Sequence, residues 1–305
     1  MQMRTAVLSS LIGWMSAWPV LALEPVPVSD GIYAFVGEKE QRSPGNLANN
    51  ATFGLIVTGE GAVLIDPGGS WKGAEALHAD VRKVTDQPVR YVINTGGQDH
   101  RWLGNGYWRK LGATIIASSA AVADQKERAS LQLTMLSQFV GSDGLSGTEP
   151  EFADVTFDTD HELEIGGTRI EIHFAAAAHT PGDAFVWVPS KSTVFTGDIV
   201  YTERLLGVLP FSKSKAWLMA FEAVAALNPE HVVPGHGAPT TLSRAKADTF
   251  DYLVNLRARM AEHIETGGDM IGSPKVDQSA FKHLEEFEAL AGRNAQAVFA
   301  EMEFE

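Results

Sequence analysis

The sequence contains no cysteine among its 305 residues. Disulfide bonds, thiolate nucleophiles and thiolate metal ligands are therefore excluded, and any bound metal must be held by imidazole nitrogens or by oxygens. Basic residues are also scarce, since 24 lysines and arginines stand against 38 acidic residues, for a formal net charge of −14. An acidic chain without a basic stripe repels polyanions, so we expect no nucleic-acid partner.

Long apolar runs are confined to the amino terminus. Arg4 precedes an apolar stretch from residue 5 to residue 18, and the small residues that end at Ala22 suit cleavage by a signal peptidase. We interpret residues 1–22 as a signal peptide and residues 23–305 as one mature domain. Export without cysteines favours the bacterial periplasm, and the mature chain has no stretch apolar enough to span a membrane.

Short apolar segments alternate with helical patterns over the rest of the chain. The segments 63–66 and 91–94 are typical of buried strands, whereas 70–84 has apolar residues at helical spacing. Further strands are expected at 169–174, 185–188, 193–195 and 231–233, and helices at about 242–265 and 278–301. This order predicts an α/β domain in which helices cover a mixed sheet.

Residues that carry chemistry follow the predicted strands. Strand-end loops of an α/β sheet converge on one edge, so these side chains are expected to meet although they are distant in sequence. Imidazoles and carboxylates without thiolate suit zinc, iron or manganese, and a metal held by them would activate water. The candidate residues are Asp66, Asp99, His100, His179, Asp183, Asp198 and His236.

Four strings over residues 31–241 resemble the successive motifs of the metallo-β-lactamase superfamily: LIDPGG, HTPGD, FTGD and VPGHG. The resemblance implies a four-layer αββα sandwich with the active site on one edge of its two sheets. It also implies that His179 serves a first metal, that Asp198 bridges two metals and that His236 serves the second. Asp66 would support the metal ligands without binding a metal itself.

The sequence departs from the family at its first ligand motif. The family usually has Thr-His-x-His-x-Asp-His, whereas this chain has TGGQDHR at 95–101. Without a gap, Gly96 and Gln98 replace the two histidines of the first metal, and Arg101 replaces the last histidine. With a slip of one residue, Asp99 and His100 become the Asp-His pair. Both alignments lose the first two histidines, so we expect no binuclear site of the usual kind.

The two alignments predict different sites. With the slip, Asp99, His100, Asp198 and His236 would hold one divalent cation, and a mononuclear hydrolase would result. Without it, Arg101 would pair with Asp198 in place of a metal and give a metal-free pocket. We favour one bound metal, with zinc first and iron or manganese as alternatives.

Further roles depend on where that metal lies. Asp99 or Asp183 would accept a proton during hydrolysis, and His179 would act as a ligand or as a general base. Gln98 would supply a neutral hydrogen bond where the family has a ligand.

The function that we expect is metal-dependent hydrolysis of a small ester, thioester or related small molecule. The first alternative is an iron-dependent sulfur or redox enzyme, because the altered motif resembles secreted members associated with sulfur-oxidation and quinoprotein systems. The second is a metal-free periplasmic binding protein. Hydrolysis of β-lactams is not expected, since the ligand cluster for that reaction is largely missing.

Overall fold

The computed structural model describes residues 21–305. The strands in this range are Pro25–Ser29 (β1), Ile32–Val36 (β2), Thr52–Thr58 (β3), Gly61–Ile65 (β4), Val89–Asn94 (β5), Thr114–Ser118 (β6), Val155–Phe157 (β7), Asp160–Ile165 (β8), Thr168–His173 (β9), Phe185–Val188 (β10), Thr193–Phe195 (β11) and His231–Val233 (β12). The α-helices are Trp71–Val81 (α1), Asn105–Lys110 (α2), Ser119–Phe139 (α3), Gly141–Gly144 (α4), Ser214–Ala226 (α5), Leu242–Ala245 (α6), Asp251–Glu265 (α7) and Phe287–Met302 (α8).

The strands form two mixed sheets. The first has seven strands in the order β1 to β7, and the second has five in the order β12-β11-β10-β9-β8. In the first sheet, β4 to β7 pair in parallel, and in the second, β11 pairs in parallel with β12. The polar loops that follow β4, β5, β11 and β12 therefore leave the carboxyl ends of parallel strands.

The alternation of side chains along the strands builds four layers. In β4, Val63 and Ile65 face a core that they share with Ile170 and Ile172 of β9, so this core lies between the sheets. Ala62 and Leu64 of the same strand instead face α1 and α2. A third core packs the outer face of the second sheet against α5, α7 and α8. The αββα sandwich that the sequence implies is thus confirmed.

The boundaries of two predicted helices differ in the structure. The helix expected at 242–265 consists of α6, a π-helical stretch at Lys246–Phe250 and α7. The helix expected at 278–301 begins only at Phe287, because Glu286 has a left-handed backbone with φ of 62° and breaks the helical path.

The predicted signal peptide lies outside the described residues except for Leu21 and Ala22. Leu23, the predicted first residue of the mature chain, is buried, and its backbone nitrogen donates a hydrogen bond to Asp80 at 2.8 Å. From residue 21 onward, no helix has the length and apolar character needed to cross a bilayer.

Candidate metal centre and active-site cavity

The strand-end loops bring the candidate residues to one edge of the sandwich. Asp66 follows β4, and the segment 95–101 follows β5 in the first sheet. Asp198 follows β11 and His236 follows β12 in the second sheet. His179 lies in the loop between β9 and β10. The site therefore spans the seam between the two sheets.

A buried arginine crosses this seam. The Nη1 atom of Arg101 donates to Asp66 at 2.8 Å, and its Nη2 atom donates to Asp198 at 2.7 Å. The same guanidinium also donates to the carbonyl oxygens of Thr52 and Gly235. Burial alone would lower the pKa of Arg101, but Asp198 and Asp66 outweigh it and hold the pKa above its ordinary value. A permanent positive charge thus lies in the site.

This arginine lowers the pKa of both carboxyl partners against the effect of burial, with a different outcome for each. Burial raises the pKa of Asp66, and the opposing effects of Arg101 and Thr95 only partly offset the rise. Burial acts on Asp198 in the same direction, but Arg101 and His100 outweigh it and hold the pKa of this carboxyl well below its usual range. Asp198 is therefore a carboxylate at neutral pH.

Two histidines meet Asp198 from opposite sides of the seam. The Nε2 atom of His100 lies 3.3 Å from one carboxylate oxygen, and the Nε2 atom of His236 lies 3.2 Å from the other. One ligand atom from each of these three residues lies within 4.8 Å of the other two. All three side chains are buried, and the two histidines border a cavity of about 400 Å³.

The donor set fits a single divalent cation. Ligand atoms bonded to zinc at roughly 2.0–2.2 Å in a tetrahedral array lie roughly 3.3–3.6 Å apart. The Nε2 atoms of His100 and His236 lie 3.3 and 3.2 Å from different oxygens of Asp198, which is close to this spacing. Two imidazoles, one carboxylate and a side that faces a cavity are the features of a catalytic zinc site. Burial also lowers the pKa of His236 well below its usual value, so its ring is neutral.

Asp99 lies beside these ligand atoms rather than among them. Its carboxylate pairs with Arg42 and lies 3.1 Å from Nδ1 of His100. Burial would raise the pKa of Asp99, but Arg42 and His100 lower it far below its ordinary value. When Nδ1 of His100 donates to Asp99, its Nε2 atom is free to bind a metal. When Nδ1 accepts from Arg42, at 3.0 Å, Nε2 carries the proton and donates to Asp198.

The loop at 96–97 has no room for a side chain at Gly96, one of the two positions where the ungapped alignment loses a histidine. A Cβ atom on Gly96 would overlap Oδ1 of Asp183, and one on Gly97 would overlap Asp124. Side chains of α3 hold this loop, since Gln125 donates to the carbonyl of Gly96. The Gly97 carbonyl accepts from Arg128 and Gln132. A side chain at Gly96 or Gly97 would therefore have to displace a buried aspartate.

His179 borders the cavity in a fixed tautomer. Its Nδ1 atom lies 2.9 Å from the carbonyl oxygen of Gly207, which can only accept, so Nδ1 carries the proton and Nε2 has a free lone pair. Burial lowers the pKa of His179 to about 4, although Asp198 opposes the effect. The ring is therefore neutral at pH 7.

Asp183 and Gln98 lie in different surroundings. Asp183 is fully buried, and its carboxylate accepts from the backbone and the hydroxyl of Thr180. Burial and the charge of Asp198 raise its pKa well above the ordinary value. Gln98 borders the cavity, and its buried Oε1 atom has no hydrogen-bond partner among the described residues.

The sequence analysis did not identify several residues of the cavity wall, among them Arg42, Tyr201 and Arg204. The ring of Tyr201 stacks on His236, with centroids 4.5 Å apart and planes 14° apart. Burial and Asp198 raise the pKa of Tyr201 well above its usual value, so its hydroxyl stays protonated. The sequence offered a signal for Tyr201 and Arg204, because they follow Asp198 by three and six residues. It offered none for Arg42, which precedes every motif.

Comparison with known families gives one match over most of this region. The family described as "Metallo-beta-lactamase superfamily" matches residues 48–236, which include the site from Asp66 to His236. A protein named "Metallo-beta-lactamase type 2", from Elizabethkingia meningoseptica, is 23% identical over 197 residues. That alignment covers 62% of this chain and 69% of the relative.

Solved structures of similar fold include two proteins with metallo-beta-lactamase in their names. One, from Pontibacter korlensis, has a TM-score of 0.62 and 23% identity, and the match covers 76% of this chain and 99% of that protein. The other is DIM-1 metallo-beta-lactamase, with a TM-score of 0.58 and 19% identity, over 74% of this chain and 95% of that one. At these identities the likeness shows a shared fold.

Proposed function

Because the chain belongs to the metallo-beta-lactamase superfamily, we propose that it is a hydrolase that depends on one divalent metal held by His100, Asp198 and His236. The observation that carries the proposal is the cluster of one ligand atom from each of these residues within 4.8 Å, beside a cavity. Zinc is the first choice of metal, because two imidazoles and a carboxylate suit it, and iron or manganese are the alternatives.

The bound metal would activate water and stabilise the negative charge that develops on an attacked carbonyl group. Around it, the residues of the chain have separate tasks. His179 accepts a hydrogen bond or a proton through Nε2, because Gly207 holds the proton on its other ring nitrogen. Asp99 orients His100 through Nδ1.

Two neutral groups line the remaining approach to the reacting centre. Gln98 borders the cavity, and its buried Oε1 atom lacks a protein partner among the described residues, so we assign its amide a hydrogen bond with the substrate. The protonated hydroxyl of Tyr201 supplies a hydrogen-bond donor beside His236. Asp183 contacts Thr180 and is not part of the cavity wall, so we give the proton-accepting role to His179.

The substrates that we propose are small esters, thioesters or related molecules with an electrophilic carbonyl. A cavity of about 400 Å³ is of the size that accommodates such ligands. The predicted signal peptide supports a periplasmic location for the reaction, which osmotic-shock fractionation of the native host tests.

Elemental analysis of the purified protein, after growth with added zinc, iron and manganese, tests the metal site. We expect about one equivalent of a single metal in the wild type and in the exposed control His283→Ala. His236→Gln and Asp198→Ala are expected to lose it. His236→Gln is the more informative variant, because Asp198→Ala also removes a partner of Arg101 and can fail to fold.

Activity is measured on the same four proteins with a chromogenic acetate ester and an acetyl thioester. A rate of hydrolysis that is high in the proteins that hold metal and low in those that lose it supports the proposal. A metal-loaded wild type that hydrolyses neither compound faster than His236→Gln would contradict hydrolysis of this substrate class.

One observation favours a second candidate, a metal-free binding protein. Arg101 already donates to Asp198 at 2.7 Å, so a guanidinium supplies the positive charge that a metal would bring. A wild-type protein that holds no metal after supplementation would favour this candidate and overturn the first.

A further inference from the structure

The boundary between the predicted signal peptide and the mature chain is also a boundary in the structure. Leu21 and Ala22, the last two residues of the predicted signal peptide, are exposed, whereas the next residue, Leu23, is only 4% exposed. The side chain of Leu23 belongs to the same core as Leu77 and Val81 of α1. The folded core of the described chain therefore begins at the residue where the predicted cleavage leaves the mature chain to start.

The backbone nitrogen of Leu23 faces a buried carboxylate. It donates to Oδ2 of Asp80 at 2.8 Å, and Asp80 is only 3% exposed. The backbone nitrogen of Leu21 donates instead to the carbonyl oxygen of Gly45, at 3.0 Å. Cleavage between Ala22 and Leu23 would thus place a new α-ammonium group at hydrogen-bond distance from a buried anion.

The surroundings of Asp80 favour a second cation. Asp80 lies in the last turn of α1, where the partial negative charge of the helix end disfavours a carboxylate. Lys83 lies 2.9 Å from its Oδ1 atom, but this lysine is 38% exposed and also pairs with Glu24. A buried carboxylate is costly unless both of its oxygens have good partners, and Oδ2 is the oxygen that faces Leu23.

We propose that a signal peptidase cuts the chain between Ala22 and Leu23, and that the released amino group of Leu23 forms a buried ion pair with Asp80. In this hydrolysis the C–N bond breaks, and water supplies a hydroxyl group to the carbonyl carbon of Ala22 and a proton to the nitrogen of Leu23. The new carboxylic acid then loses its proton, and the amine gains one to become an ammonium group.

Cleavage in this way removes the leader and also strengthens the fold. A neutral N–H donor is replaced by a charged one, and charge-assisted hydrogen bonds are roughly twice as strong as neutral ones. Because Leu23 is buried, the bond is accessible to a peptidase only before the amino-terminal segment packs against α1. The inference does not depend on the proposed hydrolase.

The amino terminus of the exported protein is the first test. The full-length gene is expressed in a Gram-negative host, and the periplasmic protein is analysed by intact mass and by amino-terminal sequencing. We expect one amino terminus at Leu23 and the mass of residues 23–305. A protein that keeps residues 1–22, or that begins at another residue, would overturn the proposal.

The ion pair is tested on two forms of the protein that begin at Leu23 and at Leu21, each released from a cleavable amino-terminal fusion. We expect Asp80→Asn to lower the melting temperature of the form that begins at Leu23 by about 2–5 °C more than that of the longer form, because only the shorter form has an ammonium group at Asp80. Asp86→Asn, at an aspartate that is 89% exposed, is the control and is expected to affect both forms equally. Equal losses of melting temperature in Asp80→Asn would contradict the ion pair.

The excess loss in Asp80→Asn is also expected to depend on pH. An unfolded chain loses the proton of its α-amino group near about pH 8, and a neighbouring carboxylate raises that pKa in the folded protein. The added stability is therefore present below about pH 8 and is lost as the pH rises through the higher value of the folded state.

Three charged side chains surround this nitrogen: Asp80 and Lys83 of α1, and Glu24 of the same segment. Lys83 stays charged over the range of the test, because hydrogen bonds to Asp80 and Glu24 raise its pKa above the ordinary value. Thermal unfolding of the four proteins between about pH 7 and about pH 10 measures the excess loss. A loss that does not decrease over this range would show that the amino group of Leu23 is not the charged partner of Asp80.

Discussion

Arg101 and Asp198 form a buried ion pair, with Nη2 of the arginine 2.7 Å from Oδ1 of the aspartate. Both side chains are fully excluded from solvent. Asp66 accepts a hydrogen bond from the other terminal nitrogen of the guanidinium. One arginine therefore connects residues that follow strands of both sheets. The ungapped alignment puts Arg101 where the family has a metal-binding histidine. The structure therefore joins features of both alignments, because the arginine pairs with Asp198 while His100 stays near the same carboxylate.

Replacement of Arg101 by methionine is expected to destabilise the protein by about 3–5 kcal/mol. The variant keeps most of the side-chain volume but leaves Asp66 and Asp198 buried without their shared cation, which is the costly outcome when one partner of a buried pair is removed. Urea denaturation followed by tryptophan fluorescence measures the free energy of unfolding. Arg259→Met, at an exposed position, is the matched control and is expected to change it by less than about 0.5 kcal/mol. If the free energy of unfolding fell as little in Arg101→Met as in the control, the ion pairs of Arg101 would contribute nothing to stability.

The sandwich and the convergence of its loops were predictable because both follow from local patterns. Apolar runs ended by Asp66 and Asn94 identify buried strands, and the carboxyl ends of parallel strands meet at one edge. The choice between the two alignments was not predictable in the same way. It depends on which side chain of the short turn at 99–101 points into the seam, and that direction is set by contacts with Thr52 and Gly235, which are distant in sequence.

Gly96 is required by the packing of its neighbours, so Gly96→Ala is expected to destabilise the protein by about 1–3 kcal/mol. The new Cβ atom would overlap Asp183, which is held by Thr180 and cannot move freely. Gly59→Ala is the control, because a Cβ atom on that exposed glycine meets no atom within 4 Å. Thermal unfolding followed by circular dichroism compares the two variants. Equal melting temperatures of the two variants would mean that the loop at 96–97 accommodates the new Cβ atom without loss of stability.

The same overlap predicts that Gly96→His does not recover a first metal. The imidazole would need the space that Asp183 fills, so the metal content of Gly96→His is expected to equal that of the wild type. Elemental analysis checks this outcome, and one additional equivalent of metal would contradict it.

The depressed pKa of His179 predicts a pH dependence of stability. The folded protein holds this ring neutral down to a pH of about 4, whereas an unfolded chain protonates it near pH 6.5. Between these values the unfolded state binds more protons, so the stability that the neutral ring supports is present above pH 6.5 and is lost as the pH falls toward 4. The loss attributable to His179 is on the order of 3 kcal/mol over this window.

Urea denaturation at several pH values, with EDTA present, isolates this effect. The difference in the free energy of unfolding between the wild type and His179→Gln is expected to shift in favour of the variant as the pH falls from 6.5 to 4. His283→Gln, at an exposed histidine, is expected to run parallel to the wild type. A constant difference between wild type and His179→Gln across the window would show that folding does not lower the pKa of this ring.

The wall of the cavity was less predictable than its metal-binding side. Arg42 lies in a loop between β2 and β3 that carries no motif, and α8 begins after the last motif of the family. Their positions in the cavity depend on tertiary packing, which leaves no periodic signal in the sequence. Asn294 of α8 illustrates the point, because a single asparagine inside an apolar helical pattern looks like an isolated polar residue.

In the structure, Asn294 ties α8 to the segment 205–211 that forms one wall of the cavity. Its fully buried side chain accepts from the backbone of Val208 and donates to the carbonyl of Leu206, both at 2.8 Å. It also donates to the hydroxyl of Tyr252 at 2.9 Å. This segment includes Gly207, whose carbonyl fixes the tautomer of His179.

Asn294→Ala is therefore expected to destabilise the protein by about 2–4 kcal/mol, because it leaves a buried backbone N–H and a buried carbonyl without partners. Hydrogen exchange is expected to accelerate in peptides that cover 205–211 more than in peptides of the two sheets. Gln296→Ala, at an exposed position on the same helix, controls for changes in helix propensity and is expected to leave both quantities near the wild-type values. If exchange at 205–211 in Asn294→Ala matched that in Gln296→Ala, the wall would be held by its apolar packing, and the orientation of His179 would not depend on α8.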